Sequence, residues 1–289
     1  MWVGISETIR LILFNPDYAR IPGLRGGVPK KSSLAINKSS TSISFNQWLA
    51  GLIDAKGSFI RSNKDYMSLE ITMNITSKHC LYLIKQSFGG SIKNIGGNSI
   101  RYRLHHYEGL IKLLKAINGL MYNDIKLINY KKFIEYYNIS YIESFPLTLS
   151  SAWYSGYFDG KGVITVNHKS NQIFIKLTSK NNNLLEIINK INHTNGDLRY
   201  ISQKTLTVSL GKLYITPVSY SLILYTKKDI LCILDYFKLY PSKSIKKNRL
   251  SLIADYFLLK SEKAHLANSG TLLAKKWLNW KLKWESYEE

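Results

Sequence analysis

Residues 48–59 read WLAGLIDAKGSF, and residues 153–164 read WYSGYFDGKGVI. Aligned, the two stretches share Trp, Gly, Asp, Lys and Gly in register. The match runs on. LEITMNITSK at 69–78 answers IFIKLTSK at 173–180, and both end Thr-Ser-Lys before an apolar helical pattern. Each copy then offers a Gly-led strand pair, GGSIKNIGGNSIRYRLHH in the first and NGDLRYISQKTLTVSL…VSYSLILY in the second, with an insertion expected near 211–217. Each closes with a helical run, GLIKLLKAING and KDILCILDYF. Periods of 3.6 and 2 alternate in the same order twice, so the chain predicts a duplicated unit of helix, two strands, helix, two strands, helix.

The shared stretch itself predicts a helix that closes on glycine. Gly51 and Ala55 stand four apart on one face, and Gly156 and Gly160 repeat that spacing. Small residues on one face let two helix backbones approach closely, so the two motif helices are expected side by side, with Lys56 and Lys161 at their base.

Composition points to a polyanionic partner. The 289 residues carry 40 Lys and Arg against 19 Asp and Glu, a net charge of +21, which favours nucleic acid through counterion release. No apolar run has the length of a membrane span. Cys80 and Cys232 sit in apolar helical patterns, and two cysteines build neither a disulfide framework nor a zinc site. The Lys, Asn, Ile and Tyr bias is what an AT-rich genome such as a mitochondrial one would give. Residues 22–44 read as a linker, setting 1–43 apart as an extension; Glu7 and Asp17 interrupt any transit-peptide pattern.

The double motif resembles the LAGLIDADG homing endonucleases and the related group I intron maturases. LAGLIDAKG at 49–57 matches the namesake motif at eight of nine positions, and YSGYFDGKG at 154–162 is a looser second copy. HLANSGTLLAKKW at 265–277 is similar to the tails of mitochondrial intron-encoded members. The resemblance implies an α+β monomer of two pseudo-symmetric αββαββα halves, at 44–145 and 146–264, whose motif helices form the interface and whose antiparallel sheets form a saddle. A basic aromatic helix is expected at 265–289. The resemblance also implies an acid just before the last glycine of each motif, holding divalent metal for phosphodiester hydrolysis. Here both positions are lysine, Lys56 and Lys161. An ammonium has donors only and repels a cation, while at a helix C-terminus it complements the dipole by about 0.3–1 kcal/mol. No catalytic or metal-binding residue is therefore assigned and no cofactor is expected.

Strand alternation gives the candidate binding face. In the first copy it holds Ile60, Ser62 and Lys64, then Glu70, Thr72, Asn74 and Thr76, then Arg101, Arg103 and His105. In the second it holds Thr165, Asn167 and Lys169, then Gln172, Lys176 and Thr178. The run YPSKSIKKNRL at 240–250 resembles the family's basic segment near the cleavage centre, which implies Lys243, Lys246 and Lys247 as phosphate contacts there, with Lys126 as the first-copy counterpart. The expected function is an intron-encoded maturase gripping group I intron RNA, double-stranded DNA, or both, without metal-dependent cleavage. The alternatives are an active endonuclease, which would need Mg²⁺, and an inactive DNA-binding form. A mitochondrial location follows from composition and resemblance.

Overall fold

The computed structural model describes residues 33–62, 66–167, 169–191, 196–201, 206–209, 212–215 and 219–287. The chain separates into two compact units, Met1–Ser39 and Ser40–Glu289. The second holds both motifs and everything that follows.

Helix α1 (Ser33–Lys56) carries the first motif. It begins after the last local breaker, Pro29, and meets no proline or glycine before Gly51. The linker expected over 22–44 is therefore corrected from Ser33 onward, where the chain is helical.

Gly57 opens strand β1 (Gly57–Arg61), which pairs antiparallel with β2 (Met67–Asn74). Helix α2 (Lys78–Phe88), strands β3 (Ser91–Gly96) and β4 (Ser99–Leu104), and helix α3 (Tyr107–Ile117) complete the expected unit. The sheet order is β1-β2-β4-β3. A further helix, α4 (Asp124–Tyr136), follows.

The second copy repeats the plan with α5 (Trp153–Lys161), β5 (Gly162–Asn167), β6 (Gln172–Ser179), α6 (Asn182–Ile191) and β7 (Asp197–Ile201). Next come β8 (Leu206–Ser209), β9 (Lys212–Ile215), β10 (Ser219–Leu224), α7 (Lys227–Leu239) and α8 (Lys246–Ser261). Its main sheet has the order β5-β6-β10-β7, matching the first.

The expected strand pair over 196–225 needs correction. Ser219 pairs with Ile201, so β10 returns directly against β7 and everything between is excluded from that ladder. The excluded stretch forms its own two-stranded sheet, in which Leu206 pairs with Ile215 and Ser209 with Lys212. The insertion is thus a whole hairpin, larger than the 211–217 segment predicted. Helices α4 and α8 are also additions to the αββαββα pattern.

The motif helices form the centre of the unit. Every residue from 48 to 55 and from 153 to 160 is buried. A β-carbon added to Gly51 would lie 1.9 Å from the Trp153 carbonyl oxygen, and one added to Gly156 would lie 1.8 Å from that of Trp48. The backbones touch at these glycines, where no larger side chain fits. Gly160 faces the Ala55 methyl in the same way.

The last helix, α9 (Leu272–Glu285), docks its aromatic face on α8. Trp277, Trp280 and Trp284 are buried. The Trp280 indole donates to the Leu252 carbonyl at 2.9 Å, and the Arg249 guanidinium lies over Trp284. These rings are core, while Lys275, Lys276 and Lys283 remain exposed.

Candidate nucleic-acid interface

The outer face of the first sheet is built by register. Glu70 on β2 stands opposite Arg103 on β4, which stands opposite Ser91 on β3. One row along, Thr72, Arg101 and Lys93 are aligned. Leu69, Ile71, Met73, Ile100, Tyr102 and Leu104 alternate with them and are buried, so the polar row has one direction left. Glu70 is ion-paired to Arg101 at 3.4 Å and to Arg103 at 3.3 Å. That carboxylate holds both guanidinium groups upright and offsets part of their charge. Arg103 also lies over the Tyr66 ring, which packs on His105. Tyr66, Glu70, Ser91, Lys93, Arg101, Arg103 and His105 together line a groove. Ser62 is exposed at the end of β1, and Lys64 lies outside the described residues.

Some expected face residues are used for turns. β2 ends at Asn74, whose Oδ1 accepts from the Thr76 backbone N–H at 3.0 Å and from its hydroxyl at 2.9 Å. Thr76 therefore stands on a 3₁₀ turn, correcting its placement on the strand. A short acceptor competes with the ladder for nearby donors, which is why the strand stops there. Asn167 does the same in the second copy, accepting from the N–H groups of Lys169 and Ser170. Lys169 is thus on the turn beyond β5, although it is exposed.

The second sheet presents a less basic face. Lys176 on β6 is flanked by Val163 on β5 and Ile223 on β10, and Thr178 pairs with Ser221, which pairs with Arg199. Thr165 is exposed on β5. Gln172 turns aside to donate to the Tyr225 carbonyl at 3.4 Å. Lys93 and Arg199 were not singled out in the sequence. The alternation in SIKNIG and in DLRYI would have found both.

At the base of the helix pair, Lys56 is exposed and Lys161 half-buried. Burial, then Lys56, Lys126 and Lys180, hold the Lys161 ammonium below the usual lysine range. Lys126 donates its ammonium to the Gly57 carbonyl. Burial lowers its pKa, Asp54 counteracts this, and Lys180 adds to it. Lys180 belongs to the Thr-Ser-Lys shared by the two copies, and that repetition was the signal for it.

Lys246 corrects another expectation. Its side chain is buried, and its ammonium donates to the Asp159 carbonyl at 2.7 Å and the Phe158 carbonyl at 3.3 Å. It closes the C-terminal end of α5, serving the Asp159 carbonyl and adding a second donor to the Phe158 carbonyl, which also takes the Gly162 N–H, and its ammonium is used there instead of on a phosphate. Lys243 places its ammonium over the Trp48 ring, and its backbone N–H serves Asp159. Lys247 is exposed at the start of α8.

A metal cage does not fit these residues. Asp159 accepts from the Trp48 indole at 2.8 Å, the Lys243 N–H at 2.8 Å, and the hydroxyls of Ser242 and Ser244. Asp54 accepts from the Trp153 indole at 2.9 Å and the Tyr122 N–H at 2.7 Å. Burial pushes the Asp54 carboxyl up to about 7 against those bonds. Both acids are turned into the helix interface. Among the described residues, no three His, Cys, Asp or Glu side chains gather to hold a metal ion.

Two central helices in glycine-to-carbonyl contact, each leading into a four-stranded antiparallel sheet of the same strand order, define the LAGLIDADG class. The LAGLIDADG endonuclease family model matches residues 49–137 and again 154–257, so the chain belongs to that family. It is 34% identical over 272 residues to the probable intron-encoded endonuclease aI2 of Debaryomyces hansenii, covering 91% of this chain and 41% of that one. It is 35% identical over 260 residues to the intron-encoded RNA maturase bI4 of Saccharomyces cerevisiae, covering 89% and 39%. The chain therefore spans about two fifths of the length of these relatives. The fold matches the homing endonuclease I-SmaMI bound to cleaved DNA with a TM-score of 0.63 at 17% identity, covering 84% of this chain and 96% of that one. Among the described residues, no helix is long and apolar enough to cross a membrane.

Proposed function

We propose that the chain is a mitochondrial, intron-encoded RNA maturase. It binds folded group I intron RNA as a monomer through its basic surfaces and does not hydrolyse phosphodiesters. One observation carries this reading: both positions where the family resemblance places metal-binding acids are lysine, and the two nearest carboxylates are committed to the helix interface. The net charge of +21 and the likeness to the bI4 maturase support RNA as the partner. The binding surface comprises Arg101, Arg103, Lys93, Thr72, Ser62 and His105 on the first half and Thr165, Lys176 and Thr178 on the second. Lys169 and Lys243 stand at the margins. Such a protein contributes by favouring the folded RNA, since a ligand that binds one state shifts the equilibrium towards it.

The test incubates the purified protein, in Mg²⁺, with its own intron RNA and with the intronless DNA insertion site. Accelerated splicing without DNA cleavage is expected. Site-specific double-strand cleavage by the unaltered protein would establish an active endonuclease instead.

A further inference from the structure

We propose that the base of the motif-helix pair is an anion site, in which Lys56, Lys161, Lys126 and Lys180 hold one phosphodiester group of a bound nucleic acid. This rests on the nucleic-acid-binding reading above and names a contact within it.

Convergence is set by the backbone. The two helices touch at Gly51, Gly156 and Gly160, and a β-carbon on Gly160 would come 3.1 Å from Cγ of Lys56. Lys56 thus leaves its helix alongside the turn that ends in Lys161. Lys126 is tied to the same place by its bond to the Gly57 carbonyl, one residue past Lys56. Lys180 is brought in across the seam between halves. Its neighbour Asn181 donates to Asp124 at 2.8 Å, and Asp124 stands in the same helical turn as Lys126.

The four ammonium groups of this cluster outnumber the carboxylates beside them, Asp54 and Asp124. Asp54, which acts on Lys126, is buried and has its carboxyl pushed up to about 7. Asp124 is bonded to Asn181. Like charges gathered at a half-buried site repel, and a phosphate group relieves that repulsion with its own charge and several acceptor oxygens. A divalent cation would add to the repulsion. The site therefore has the opposite ligand preference to a metal cage in the same place.

The test uses the full chain, Lys56→Met plus Lys161→Met, and Lys56→Arg plus Lys161→Arg. Inorganic phosphate at fixed ionic strength, against chloride, should raise the melting temperature of the wild type and of the arginine form. The methionine form should lose most of that rise, while melting no lower than wild type in chloride. Binding to intron RNA and to duplex DNA is then measured against salt. The methionine pair should reduce the logarithmic salt slope by about one, the value for a single phosphate contact, and the arginine pair should restore it. A reduction with RNA but not DNA, or the reverse, identifies the source of the phosphate. Unchanged slopes with both ligands, or an equal phosphate response in all three proteins, would overturn the site and leave nucleic-acid binding standing. A phosphate response confined to the lysine and arginine forms, with no binding of RNA or DNA by any of them, would sustain an anion site and overturn the nucleic-acid reading. Stabilisation of the wild type by Mg²⁺ in place of phosphate would overturn the proposal.

Discussion

Trp48 on one motif helix donates its indole N–H to Asp159 on the other at 2.8 Å, and Trp153 returns the same bond to Asp54 at 2.9 Å. The acid shared by the two repeats is thus a clasp on its neighbour's tryptophan. The two clasps are unequal. Asp159 has three further donors, two hydroxyls and a backbone N–H, while Asp54 has the Tyr122 N–H, with the Asn123 backbone acting on it more weakly.

That inequality predicts different costs for the same substitution. Trp48→Phe leaves Asp159 with its other donors and should cost about 1 kcal/mol beyond the lost packing. Trp153→Phe leaves a buried carboxyl with only backbone donors and should cost about 2–3 kcal/mol. Urea unfolding of both variants measures the gap. Equal costs would show that the indoles act only by volume.

Gly51→Ala should destabilise by at least about 3 kcal/mol, because the new carbon meets a backbone oxygen at 1.9 Å and two helices must part. Gly96→Ala is the control. Its φ of +86° is unfavourable for alanine, but nothing lies within 4 Å, so a cost of about 1–2 kcal/mol is expected. Thermal melts of the two variants give the comparison.

Asp54 makes stability depend on pH. Its carboxyl is raised from about 3.8 to about 7 by burial. Between those values the native state binds more protons than the unfolded chain, so stability falls as pH rises through this window and levels off above it. A tenfold change in proton affinity is about 1.4 kcal/mol, so the full span is on the order of a few kcal/mol. Asp54→Asn keeps an acceptor for Trp153 and Tyr122 and should remove this slope. Unfolding free energies at about pH 5 and about pH 8 should diverge less in the variant than in the wild type.

Glu70 tempers the first sheet. Replacing it with Gln frees Arg101 and Arg103 from their carboxylate, and RNA affinity at low salt should rise with a steeper salt dependence. Changing both arginines to Ala should flatten that dependence by up to about two. Binding titrations across a salt series decide it. Tight binding indifferent to all three changes would move the interface elsewhere.

The repeat made most of the fold legible. Trp, Gly, Asp, Lys and Gly recur in register, and the alternation in β2 and β4 is enough to assign Glu70, Arg101 and Arg103 to one face. What escaped was longer-range. Nothing local marks Lys246 as a buried cap rather than a surface charge, because its partners are carbonyls 87 and 88 residues away. Thr76 and Lys169 look like strand residues by period alone, yet Asn74 and Asn167 end the strands by taking backbone donors. The hairpin over 206–215 contains β-forming residues indistinguishable in pattern from those of β7 and β10, and only the pairing of Ser219 with Ile201 excludes it.

Among the described residues, that hairpin has no counterpart in the first half. A two-fold protein reads a two-fold target, since each symmetric half repeats the contacts of the other. Here one half has an extra ribbon of strand and a more apolar sheet face, and the other has the paired arginines. A nucleic acid seated across both halves meets different chemistry on its left and on its right. Its sequence is released from any demand to be a palindrome, and its orientation on the protein is fixed.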